Sequence, residues 1–424
     1  MKQNPRNFPA ASTVRLIGRF CAIGTLVAIG LLSGCTSATP PPPKPVAPPT
    51  RPQPAGTIAR HPLSGEQGGF LRLGNLPAGR TPVRIGVLLP FSNGSSSTRL
   101  LASSMLKAAE MALFESGKRD LLLMTADEGS GGAAAASAAR TLLSQGAEII
   151  IGPLFAQSVS AVAPITRDHG VPLISFSTDR AVAGDGVYLL SFQPENQVRR
   201  IVSYAASQGH SGFAALVPST AYGARVTGAF HESVTAANAH IVELENFIPE
   251  AGDIAGPSGK VAQSKPDAIL IAQGGPLLRD IASTLAADGA GSQQVQYLGT
   301  GLWDDSAIAR EPSLAGGWFA APDPDAERGY VTKYRAIYGN SPPPLSALAY
   351  DAVSLIAILS SGAPYHRFTW DVLTDPSGFS GIDGIFRFNP DGTSDRGLAV
   401  VKIDNDGDFT VISPAPRTFQ ASGS

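Results

Sequence analysis

Hydroxyls, glycines and one tyrosine recur immediately after apolar runs: Phe91-Ser92-Asn93, Ser175-Phe176-Ser177-Thr178, Ala221-Tyr222-Gly223 and Gln273-Gly274-Gly275. In a wound α/β domain, the residues after the strands line the ligand crevice. There, serine and threonine hydroxyls and free backbone N–H groups can hold a carboxylate, and Tyr222 can stack on an apolar group. The candidate contacts are Phe91, Ser92, Ser175, Ser177, Thr178, Tyr222, Gly274 and Gly275. The same residue types also serve as turn formers and helix caps.

Covalent chemistry has little support. The six histidines are scattered without the HExxH spacing of a zinc protease. A G-x-S-x-G nucleophile elbow is absent. Gly129-Ser130-Gly131-Gly132 runs into alanines, not into the Gly-Lys-Ser/Thr of a phosphate loop. Asp404 to Asp408 lacks the distal glutamate of a calcium loop and reads as a hairpin turn; Asp304 and Asp305 read as a helix cap after Trp303. The expectation is a non-enzymatic binding protein with no cofactor and no metal.

The elements that must position these residues begin with Val83-Arg84-Ile85-Gly86-Val87-Leu88-Leu89-Pro90. So apolar a strand is covered on both faces, as in a parallel sheet. A helical stretch (98–116) and a second apolar strand (121–124) complete a β-α-β unit. Apolar runs then alternate with helical stretches as far as about residue 300, which predicts two doubly wound parallel-sheet lobes. Asp391-Gly392 and Asp406-Gly407 between short alternating runs predict an antiparallel C-terminal segment. The predicted division is lobe 1 at about 81–197 and 320–372, and lobe 2 at about 198–319 and 373–416.

The chain has 424 residues and a formal net charge of −2, with 32 basic and 34 acidic residues. Before Cys35 there are basic residues (Lys2, Arg6, Arg15, Arg19) and no acids, so removal of residues 1–34 leaves 28 basic residues against 34 acids. That balance argues against nucleic-acid binding, which needs a clustered basic face. The only cysteines are Cys21 and Cys35, so the segment after Cys35 has no disulfide and no cysteine-ligated metal.

Residues 1–34 have the basic start, apolar middle and small-residue end of a signal peptide. The apolar run Phe20–Leu32 is shorter than the roughly 20 residues a spanning helix needs. Its ending, Leu32-Ser33-Gly34-Cys35, resembles the bacterial lipobox. The resemblance implies acylation of Cys35 and a membrane-held mature N-terminus. Thr36 in place of aspartate implies the outer membrane, with the protein facing the periplasm. Residues 35–80 read as a proline-rich, poorly ordered tether, Pro40 to Pro43 being consecutive. Polyproline II at ~3.1 Å per residue would carry residues 36–60 over roughly 75 Å.

Across 81–412 the chain resembles type I periplasmic binding proteins of the leucine/amide-binding kind. The resemblance rests on Arg84–Pro90, Ile151-Gly152-Pro153, Val171–Ser175, Ala349-Tyr350-Asp351-Ala352-Val353 and Gly384–Phe388. Within that fold it is similar to the lipoprotein activators of penicillin-binding proteins. Leu190–Gln197, Val217-Pro218, Tyr222-Gly223-Ala224-Arg225, Gly152–Val159 and Gly299–Asp305 carry that likeness. It implies docking on a peptidoglycan synthase and raising its activity, although the helical-repeat half of better-known members has no counterpart here. The alternative is a substrate-binding lipoprotein delivering amino acids, amides or related solutes to an ABC permease. Amino-acid binders of this fold usually hold the ammonium with an acid on the second lobe. Here the matching places hold Ala221 and Pro276.

Overall fold

A computed structural model describes residues 58–60, 69–74 and 76–419. The signal peptide, Cys35 and the proline run lie outside the described residues. The first sheet and its helices run β1 (Ile58–Arg60), β2 (Phe70–Leu73), β3 (Val83–Leu89), α1 (Ser96–Ser116), β4 (Leu121–Asp127), α2 (Gly132–Ser144), β5 (Ile149–Ile151), α3 (Ala156–Asp168), β6 (Leu173–Ser175) and β7 (Val187–Leu189). The chain then builds a second unit from α4 (Pro194–Ser207), β8 (Gly212–Pro218), α5 (Ala221–Ala236), β9 (His240–Phe247), α6 (Ala255–Gln263), β10 (Ala268–Ile271), α7 (Gly275–Ala287), β11 (Gln296–Gly299), α8 (Ser306–Ala309) and β12 (Trp318–Ala321). It returns with α9 (Pro324–Tyr338), α10 (Ala347–Leu359), α11 (Trp370–Leu373), β13 (Phe379–Gly381), β14 (Gly384–Phe388) and β15 (Ser394–Arg396), and closes with β16 (Ala399–Ile403) and β17 (Phe409–Ser413).

The two large sheets are ordered β1-β2-β4-β3-β5-β6-β7 and β17-β16-β12-β11-β10-β8-β9. Strands β3 to β7 pair in parallel, as do β8 to β12. Each parallel set therefore has its first strand inside, between its second and third, the doubly wound arrangement expected from the alternating pattern. Strand β3 shows why the run is so apolar. Ile85, Val87 and Leu89 enter the core under α1 and α10, while Leu88 enters the core under α2 and α3. The second sheet is likewise covered on both faces by separate apolar clusters.

Three crossovers join the lobes: β7 to α4, β12 to α9 and β15 to β16. The boundaries differ from the sequence expectation in three places. Helix α4 begins the second unit at Pro194, not at about 198. Trp318–Ala321 pairs with β11 and β16 in the second sheet, so the chain returns to the first lobe after residue 321, not at about 320. The segment 379–396 belongs to the first lobe, not the second, because Phe386 and Phe388 alternate inward against Tyr188 and the first core. Only β16 and β17 join the second sheet, as an antiparallel hairpin whose turn carries Asp404 and Asp406.

The stretch given to the tether also contains structure. β2 pairs antiparallel with β4, and β1 pairs with β2. Leu71 and Leu73 are buried, and the Thr125 hydroxyl accepts from Gly69 N (2.9 Å) and donates to Gly69 O (3.0 Å). The edge of β4 is covered in this way, which an exposed parallel-sheet edge requires. Among the described residues no helix is long and apolar enough to cross a membrane.

Candidate functional site

The topological switch points lie between β3 and β5 in the first lobe and between β8 and β10 in the second. Phe91 and Ser92 follow β3, Tyr222 follows β8, and Gly274 and Gly275 follow β10. One strand further out, Ser175 ends β6, and Ser177 and Thr178 follow it. The sequence-chosen residues therefore do stand at the carboxyl edges, but many are already engaged. The Ser175 hydroxyl, fully buried, donates to Pro153 O (3.0 Å) and accepts from Ser177 N (3.0 Å). The buried Ser177 hydroxyl accepts from Asp179 N (3.1 Å). Ser92 is exposed and its N–H donates to Asp127 Oδ1 (3.2 Å); Thr178 is exposed; Phe91 is half-buried against the core.

Glu128, which was not singled out from the sequence, fills the other first-lobe position. Its carboxylate is fully buried and accepts from Leu154 N (2.8 Å) and Phe155 N (3.1 Å), at the start of α3. Burial pushes its pKa up, opposed by those two N–H groups. A helix N-terminus of this kind is a natural seat for an anion. Here the chain's own carboxylate sits in it, since the N-cap residue Phe155 has no side-chain acceptor. The strand-to-loop path needs Gly152, whose φ is +91° and where a Cβ would stand 1.9 Å from Leu88 O.

On the second lobe, Tyr222 begins α5 and its hydroxyl shares a 2.8 Å hydrogen bond with Thr300 Oγ1. Burial pushes its pKa up to about 12. The ring is thereby fixed beside the loop after β11. Thr220 caps α5 through Gly223 N (3.2 Å). Gly274 is half-buried against Leu302 and Gly275 is exposed, both at the start of α7. Trp303 is fully buried and donates from Nε1 to Gln273 O (3.0 Å), tying the β10 and β11 loops together. Of the two aspartates after it, Asp305 caps α8 through Ala307 N (2.8 Å). Asp304 does not cap and is exposed; partial desolvation by its surroundings first, then Glu327 and Asp305, push its pKa up to about 6.

A second polar set lies where the crossovers meet. It comprises Ser191 and Gln193 on the first crossover, Glu327 at the start of α9, Asp351 on α10, Asp383 before β14, and Ser394 and Arg396 on β15. Arg396 and Asp351 are both 1% exposed at the side chain and 3.9 Å apart. The guanidinium lies over the rings of Phe192 and Phe386, 4.6 and 5.5 Å from their centroids. Asp351 Oδ1 also accepts from Ile382 N (2.7 Å). Burial raises the pKa of Asp351 and of Asp383, and of Glu327 to about 8. Nothing in the local sequence pattern marks these residues, because they come from five separate segments.

A family model for the periplasmic binding proteins matches residues 82–408. The chain belongs to that family. Its solved relatives share the fold at low identity. A Rhodospirillum rubrum protein assigned to branched-chain amino acid ABC transport superposes with a TM-score of 0.70 at 19% identity, over 78% of this chain and 100% of that one. A branched-chain amino acid ABC transporter periplasmic ligand-binding protein from Burkholderia xenovorans LB400 gives 0.66 at 18% identity, over 79% and 96%. LivJ of Streptococcus pneumoniae, a branched-chain amino acid transporter substrate-binding protein in complex with isoleucine, gives 0.56 at 21% identity, over 79% and 100%. Among curated sequences, the uncharacterized protein RP748 of Rickettsia prowazekii (strain Madrid E) is 23% identical over 124 residues, 29% of this chain and 33% of its own length. This periplasmic-binding-protein chain thus aligns with only about a third of that relative.

Proposed function

We propose that this protein is a solute-binding component of an ABC importer, taking one small organic molecule between its lobes. The observation that carries the reading is the pair of switch points, each doubly wound sheet presenting its carboxyl edge with Phe91, Ser92 and Thr178 on one side and Tyr222, Gly274 and Gly275 on the other. The solute-binding roles of the Burkholderia xenovorans and Streptococcus pneumoniae neighbours support the same reading. Acylation at Cys35 would hold the protein at the cell envelope, close to a permease. A thermal-shift screen of amino acids, amides, aromatic acids and muropeptides tests it. Solute at a hundredfold excess over Kd stabilises by about 2.7 kcal/mol. Absence of any shift across the screen overturns the reading.

One observation favours the synthase-activator reading instead. Ser175, Ser177, Glu128 and Tyr222 already hydrogen-bond within the chain, which leaves fewer crevice groups free for a solute. Crosslinking followed by recovery of a bifunctional peptidoglycan synthase, together with a silent solute screen, would establish the activator in its place.

A further inference from the structure

Three large apolar side chains of one short stretch are left in water: Ile358 in the last turn of α10 is 64% exposed, Tyr365 in the following loop 100%, and Trp370 at the start of α11 57%. The stretch is tightly folded. Ser361 N donates to Ile358 O (3.4 Å), His366 N and Arg367 N both donate to Ala363 O (3.1 Å), and Thr369 N donates to His366 O (3.2 Å). Phe368 and Leu373 fasten it to the first core. An apolar patch of this kind marks a surface that meets something other than water. It lies at the amino end of the first sheet, away from the crevice. Lys118, in the turn that feeds β4, donates from Nζ to Ser361 Oγ (2.5 Å), and Arg367 pairs with Glu148, the residue before β5. The N-terminal segment arrives at the same end. Ile58 of β1 stands level with Leu73 of β2, and Leu71 stands level with Leu123, so Ile58 and Leu73 lie beside the first residue of β4. Arg80 then meets Asp120 in that turn (3.8 Å). Residues 1–57, with Cys35 standing 23 positions before Ile58, are therefore attached at this end of the lobe.

We propose that this end of the first lobe docks on a lipid bilayer, with Ile358, Tyr365 and Trp370 entering the headgroup boundary and Lys118 and Arg119 beside lipid phosphates. Tyrosine and tryptophan favour that boundary because each joins an apolar ring to a polar edge. Lysine and arginine can lay their stems along the apolar zone and keep the charge at the phosphates. Three acids at this end already face cations: Asp120 faces Arg80, Glu148 faces Arg367, and Asp371 faces His366 (3.8 Å). Among the described residues, neither Lys118 nor exposed Arg119 has an acidic partner. The attachment point decides for a bilayer over a protein face. An acylated Cys35 would hold this end of the lobe within reach of the membrane, at most roughly 70 Å of chain away at ~3.1 Å per residue. The crevice, at the carboxyl ends of the same strands, then opens away from the membrane.

The test is tryptophan fluorescence of the full-length protein reconstituted in phosphatidylethanolamine–phosphatidylglycerol vesicles, with and without bromine on the acyl chains near the headgroups. Of the three tryptophans, Trp303 is fully buried and Trp318 half-buried against Tyr204 and His210, so Trp370 is the exposed reporter. This readout is local and does not depend on how the N-terminus is held. Bromine should quench the Trp370 emission by about a third or more, with a blue shift relative to the protein in detergent-free buffer. Trp370→Phe should abolish that quenching. Ile358→Ser with Tyr365→Ser should at least halve it without lowering the melting temperature, since both side chains lie in solvent. Replacing phosphatidylglycerol with phosphatidylcholine should weaken it, and Lys118→Gln with Arg119→Gln should remove that lipid dependence. Equal Trp370 emission in brominated and ordinary vesicles that carry the protein would overturn the proposal. So would protection of Trp370 by a purified permease or peptidoglycan synthase and not by lipid, which would give the surface to a protein partner.

Discussion

Arg225 and Glu195 form a two-point ion pair, Nε and Nη2 standing 2.9 and 2.7 Å from the two carboxylate oxygens. Glu195 opens α4 just after the first crossover, and Arg225 lies on α5. The pair is largely shielded, with side-chain exposures of 11% and 22%. Bidentate geometry and partial burial make it stronger than an ordinary surface pair. Glu195→Ala is expected to destabilise the protein by about 1–3 kcal/mol, since it strands a partly buried guanidinium. A double-mutant cycle with Arg225→Ala, followed by denaturant unfolding, checks this. A coupling near zero would show that the pair does not hold α4 to the second lobe.

Glu128 at the start of α3 gives the next expectation. Glu128→Ala leaves Leu154 N and Phe155 N without their acceptor. The cost should be about 1–3 kcal/mol. Glu128→Gln keeps an acceptor oxygen and should recover part of the loss. If the alanine variant also gains affinity for a carboxylate solute, the emptied seat has become an anion site.

The hinge acids set a pH dependence. Burial raises the pKa values of Asp351, Asp383 and Glu327, and partial desolvation raises that of the exposed Asp304, so the folded state binds protons more tightly than the unfolded chain. Their contribution is most favourable when they are protonated in both states. It declines as pH rises from about 4 to about 8, on the order of 2–4 kcal/mol in total after solvent screening. Asp267 and Asp391, whose pKa values are lowered, have already delivered their stabilisation above their ordinary value of 3.8. The ligand-free protein should therefore melt several degrees lower at pH 8 than at pH 5. Asp383→Asn should flatten that slope. A melting temperature that rises over this interval would contradict the assignment.

Gly152 tests the backbone at the β5 edge. Its positive φ, and the 1.9 Å that would separate an added Cβ from Leu88 O, leave no room for a side chain. Gly152→Ala should cost at least about 2 kcal/mol and lower the soluble yield. A melting temperature within a degree of the parent would show that the loop shifts freely.

The parallel lobes were legible because β3, β5, β8 and β10 are apolar on both faces and the helices between them carry a regular apolar stripe. The placement of Phe91, Ser92, Tyr222, Gly274 and Gly275 at strand ends followed from the same pattern. Their engagement did not. That Ser175 bonds Pro153 O, or that Glu128 seats itself on α3, depends on contacts 22 to 27 residues apart. The strand at Phe70–Leu73 was hidden because four residues beside glycines carry too little alternation. The hinge cluster was hidden more deeply, since Asp304, Glu327, Asp351, Asp383 and Arg396 meet only through the crossovers.

The central claim is that a small molecule binds between the lobes with one site per chain. Calorimetric titration of the purified protein with the solute giving the largest thermal shift tests it most directly. The account predicts a stoichiometry of one, a negative heat-capacity change from buried apolar surface, and at least tenfold weaker binding in Tyr222→Ala. A stoichiometry far from one, or an affinity unchanged in Tyr222→Ala, would contradict it.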